Sequence, residues 1–118
     1  MINATQFSSA CELAELFDGW RNASAAVVTA VLSTDAIMIS AAPLVDPINT
    51  HRSDKGQIAV AQGQRAIMEG LEICRMHRDG DSLVQDPYCI HCQPQITGAA
   101  LDLPPVLTGN PGLNSGFI

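Results

Sequence analysis

Charge is what this chain has least of. Asp, Glu, Lys and Arg make up 15% of its 118 residues, against roughly 25% in an ordinary soluble domain. There is one lysine, Lys55, and the formal net charge is −6. Phosphate binding draws on clustered Lys and Arg, so nucleic acid is disfavoured as a partner. The carboxylates Glu12, Glu15, Asp18, Asp35, Asp46 and Asp54 are too scattered for a DNA mimic. An anionic membrane surface would repel the chain. Aromatics amount to 4%, and the isolated Trp20 and Tyr88 build no platform for stacking bases.

Further absences narrow the chemistry. No G-x-S-x-G elbow and no glycine-rich phosphate loop occurs; Gly63 and Gly70 are seven apart inside a helical pattern. Gln93 stands where C-x-x-C-H haem attachment needs histidine. Met1 to Gln6 has neither a basic flank nor a long apolar run, so no signal peptide is recognisable. The one membrane candidate, residues 23–45, carries Ser33, Thr34 and Asp35 near its middle, which is costly in lipid. These absences predict a non-enzymatic protein with neither a nucleic-acid nor a membrane partner. Four cysteines without an export signal suit a reducing compartment, the cytoplasm or a virion.

Apolar residues make up 47% of the chain, enough to give one domain of this length a core. Much of the surface must then be neutral or apolar, and such a surface is usually covered by a partner. Homo- or hetero-oligomeric assembly is the expectation.

The densest constellation is a pair of ligand doublets. Cys74 and His77 lie three apart, and Cys89 and Cys92 follow with the same spacing. Read as C-x-x-H…C-x-x-C, the four match a closed structural zinc site, with two ligands on a helix end and two on a loop. His91 could replace His77. The plainer alternative is four unrelated residues: a buried Cys74, a solvated His77 and two free thiols. A redox role for the doublet is disfavoured, because Asp86-Pro87 before it and Pro94 after it leave no room for a helix.

Hydrophobic spacing predicts a mainly α fold. Ser9 and Glu12 form a candidate capping box for a helix presenting Leu13, Leu16, Phe17 and Trp20. Residues 23–42 mix alanine with β-branched Val27, Val28, Thr29, Val31, Ile37 and Ile39, and lean towards a buried helix ended by Pro43 and Pro47. Ser53-Asp54-Lys55-Gly56 reads as the turn of a minor β-hairpin over residues 48–60, the alternative being a helix that starts near Asp54 and runs on. A helix over residues 64–78 follows, with Gly80 as its cap.

Residues 1–93 thus form a small helical domain with a candidate zinc clasp, and residues 94–118 an extended C-terminal arm. The arm is punctuated by Pro94, Pro104, Pro105 and Pro111, and its only charge is Asp102. It carries Leu101, Leu103, Val106, Leu107, Leu113, Phe117 and Ile118 as candidate partner-binding residues. Two functions fit. One is a structural subunit of a larger assembly, such as a phage-like virion component, gripping its neighbours through the arm. The other is a zinc-stabilised regulatory module that binds and inhibits one protein partner.

Overall fold

The computed structural model describes residues 5–71, 73 and 86–108, with side chains given as far as 103. Its elements are α1 (Thr5–Ala36), a 3₁₀ turn (Ala42–Leu44), α2 (Asp46–Thr50), α3 (Lys55–Met68), α4 (Tyr88–His91) and α5 (Gln93–Thr108). The mainly α expectation holds, and no strand occurs among the described residues.

α1 is a single 32-residue helix that absorbs both N-terminal segments of the sequence reading. Ser9 does not cap it. The Ser9 hydroxyl lies inside the helix and donates to the Thr5 carbonyl at 3.0 Å. Ser24, Thr29, Ser33 and Thr34 likewise donate to the carbonyl four residues back, at 2.7–3.0 Å. Bonding in this way satisfies the hydroxyls within the helix, although each such bond favours the helix little by itself. The helix stops before the prolines are reached. Met38 takes a left-handed φ of 56°, its N–H donates to Asp35 O at 3.1 Å, and the Ile39 N–H donates to Thr34 O at 3.0 Å. That pairing is a Schellman closure, with Met38 where glycine is commonest.

The expected hairpin is two helices. Pro47 falls in the first turn of α2 with Asp46 beside it, and both residue types favour a helix start. The reversal comes at Ser53, with φ 59°, rather than at Gly56. Asn49, 2% exposed, seals the joint: it donates to Pro43 O at 3.0 Å and Val45 O at 3.1 Å, and accepts from Gln57 Nε2 at 3.0 Å. Arg65 on α3 pairs with Asp46 on α2. The alternative of a helix running on from Asp54 is the one the structure adopts. It ends at Met68 with a turn at Glu69 and Gly70, so the helix expected over 64–78 breaks near its middle. Cys74, His77 and Gly80 lie outside the described residues.

The extended arm is also corrected over residues 93–108, which form α5 and cross the proposed boundary at residue 94. Pro94 occupies the second helical position, where its missing N–H costs nothing, and the backbone stays helical through Pro104 and Pro105. α5 packs along α3 as the most extensive helix pair among the described residues. The reason is glycine. A Cβ on Gly98 would collide with the backbone of Gln57, and one on Gly56 with the Gly98 carbonyl. One turn beyond Gly98, the Asp102 carboxylate accepts the Gly56 N–H at 3.0 and 3.1 Å. It thereby places a negative charge at the N-terminus of α3, whose N-cap residue Asp54 makes no side-chain capping bond.

Two apolar clusters complete the packing. Val27, Val60 and Leu101 join α1, α3 and α5, with Ala23 against them. Val31, Leu44 and Met68 join α1, the 3₁₀ turn and α3. Leu101, expected to grip a partner, is therefore core at 5% exposure, while Leu103 is 59% exposed. Val106 and Leu107 belong to the helical backbone of α5; Leu113, Phe117 and Ile118 lie outside the described residues. No helix among the described residues is long and apolar enough to cross a membrane.

Candidate functional site

A carboxylate and an imidazole meet at α4. Its single turn, Tyr88–His91, leads through Cys92 into α5. The Asp86 carboxylate, 11% exposed, takes the Ser40 backbone N–H at 3.0 Å and meets His91 Nε2 at 3.2 Å. It therefore ties the segment after α1 to the start of the C-terminal helices. The carboxylate can only accept, so the contact is made when His91 Nε2 carries a proton. Tyr88, on the same turn, is 76% exposed. The ring of His91 borders a small, partly open cavity with Thr34, Ser40, Gln64 and Gln93. Gln64 is buried and donates from Nε2 to Gln93 Oε1 at 3.3 Å.

An imidazole held by a partly buried carboxylate beside a cavity can accept or deliver a proton, or hold an anionic group. The sequence reading treated Asp86 as a helix-breaking neighbour of Pro87 and His91 as a spare zinc ligand. The available signal was the five-residue spacing of an Asp and a His around a proline, which is too common to stand out without the fold.

The zinc doublets are only half visible. Cys89 is exposed on α4, and Cys92 is half-buried just after it, its thiol donating to Cys89 O at 3.6 Å. The doublet thus stands on a helical turn, although the prolines on either side suggested there was no room for one. Cys74 and His77 lie outside the described residues. Among the described residues no group of three or more His, Cys, Asp or Glu side chains is placed to hold a metal ion.

Comparison with known proteins supplies what the geometry does not. Residues 1–103 match the family model described as aromatic amino acid lyase. Over 103 residues the chain is 60% identical to a histidine ammonia-lyase from Roseobacter denitrificans, a match covering 87% of this chain and 20% of that protein. The chain thus spans about a fifth of the length of the curated relative it matches. No solved structure matches. These matches overturn the structural or virion subunit, the inhibitory zinc module and the non-enzyme reading together. Low charge and exposed apolar faces signal burial against something further, but they suit a segment of a larger enzyme as well as a capsid component.

Proposed function

The chain belongs to the aromatic amino acid lyase family, and on that premise we propose that it forms part of an enzyme eliminating ammonia from an aromatic amino acid, histidine foremost. The 60% identity to a histidine ammonia-lyase carries this reading. Such an elimination breaks a C–N and a C–H bond, and the C–H electron pair becomes the new C=C bond. The carbon-bound proton needs an acceptor, and the departing amine leaves most readily when protonated. Within this chain His91 is the group suited to move a proton or to hold the substrate carboxylate, because Asp86 holds its ring at the rim of a cavity.

The homo-oligomeric and cytoplasmic expectations belong to the same proposal. α1 carries Leu13, Phe17, Val28 and Leu32, all more than 40% exposed. Their spacings of 4, 11 and 4 residues keep them within about 100° of one another around the helix. An apolar stripe of this length is a face to be covered by further parts of the lyase or by another copy of it.

The test is to purify the polypeptide that carries these residues and incubate it with L-histidine, L-phenylalanine and L-tyrosine. Released ammonia and the near-ultraviolet absorbance of the new conjugated double bond are followed together. Turnover of at least one substrate is expected; release of ammonia from none of them would remove the proposal. Replacing His91 by Gln should then lower kcat by about 10²–10⁴-fold if the imidazole transfers a proton. A rise in KM alone would instead make it a binding group.

A further inference from the structure

We propose that Cys89 and Cys92 are a thiol–disulfide pair whose oxidation draws His91 away from Asp86. The flanking prolines spoke against a redox role by leaving no room for a helix, yet Cys89 stands second in α4 and Cys92 closes its C-terminal end. The two thiols thus share one helical turn. Cys89 is exposed and Cys92 is half-covered, the division expected of an attacking and a resolving thiol. The Cys92 thiol is already turned back towards its partner residue, donating to the Cys89 carbonyl oxygen at 3.6 Å.

The oxidant is a low-molecular-weight disulfide. The Cys89 thiolate attacks one of its sulfurs, the reagent's S–S bond breaks, and the first thiolate leaves. The Cys92 thiolate then attacks the Cys89 sulfur and expels the second. The cysteines give up two protons and two electrons, and the reagent departs as two thiols. Residues three apart on a helix keep their Cβ atoms roughly 5–6 Å apart, whereas a disulfide needs about 3.5–4.5 Å. The turn must therefore tighten. Cys92 has room to yield, because it has left helical geometry (φ −88°, ψ 10°) and its N–H is shared between the Ile90 and Tyr88 carbonyls. His91 lies between the two cysteines and meets Asp86 at 3.2 Å, while Asp86 is also held by the Ser40 N–H. Tightening moves the imidazole and leaves its partner behind. An exposed disulfide is the readily reduced kind, which suits a reversible switch in a reducing compartment. What the switch governs in catalysis rests on the role given to His91 in the lyase; the thiol chemistry does not.

The test is to incubate the 118-residue chain with oxidised glutathione in mildly alkaline buffer, alkylate the remaining thiols and map the peptides by mass spectrometry. A Cys89–Cys92 disulfide, lighter by two hydrogens and reversed by dithiothreitol, is expected. A crystal structure of the oxidised chain should then show His91 Nε2 more than about 3.5 Å from the Asp86 carboxylate, beyond hydrogen-bond reach. A chain that stays reduced, stops at a glutathione adduct, or pairs Cys89 or Cys92 with Cys11 or Cys74 overturns the proposal. So does a disulfide that leaves the contact between His91 and Asp86 in place. Neither readout is turnover, so failure of the thiol pair and failure of the lyase reading are separable.

Discussion

The two halves of α1 share a helix but have opposite surroundings. From Ala23 to Ala36 the helix lays Val27, Val31 and Thr34 against α3, α5 and the 3₁₀ turn, all three under 9% exposed. From Thr5 to Asn22 no residue is buried; Leu16 and Trp20 are half-covered, and Phe7, Leu13 and Phe17 are 75%, 55% and 65% exposed. Both halves carry apolar side chains, the larger ones in the outer half. Hydrophobic spacing therefore reports that a face is to be covered, not whether the same chain covers it.

The contrast can be broken hardest at the glycine contact. Gly98→Ala drives a methyl group into the backbone of Gln57, which no side-chain rotation relieves. A loss of about 3 kcal/mol in urea unfolding is expected, and a loss under 1 kcal/mol would mean that α3 and α5 do not touch there. Val60→Ala removes two methyl groups from a fully buried site beneath the inner half of α1 and should cost about 2 kcal/mol.

Asp102→Ala strips the carboxylate from the Gly56 N–H and should cost about 1 kcal/mol, read as a lower melting temperature. The smallest effect sharpens the comparison most. Phe17→Ser on the outer half of α1 should change the unfolding free energy of the isolated chain by no more than about 0.5 kcal/mol while reducing self-association in sedimentation. A destabilisation as large as that of Val60→Ala would mean that the outer half is packed within this chain after all.

Where the sequence reading failed, the cause lies in contacts between distant residues. Gly56 looked like a turn residue, yet its value is close approach to Gly98, 42 positions further on. Ile48-Asn49-Thr50 looked like one strand of a hairpin because nothing local shows that Asn49 will be buried by bonds to Pro43, Val45 and Gln57. The proline-punctuated C-terminus looked extended, but Pro94 is tolerated in a first helical turn and Leu101 gains a buried place against Val27 and Val60. The candidate site was hidden for the same reason: the Ser40 N–H that helps hold Asp86 comes from 46 residues away.

The chain's own order of residues settled that the fold is mainly helical, because hydrophobic spacing acts within a few residues. It also settled the scarcity of charge and the surplus of apolar surface, which composition alone decides. Tertiary structure decided which glycine is a contact, which leucine is core and which carboxylate steadies His91. Those outcomes depend on atoms brought together from positions some 40 residues apart, and no local pattern encodes such a meeting.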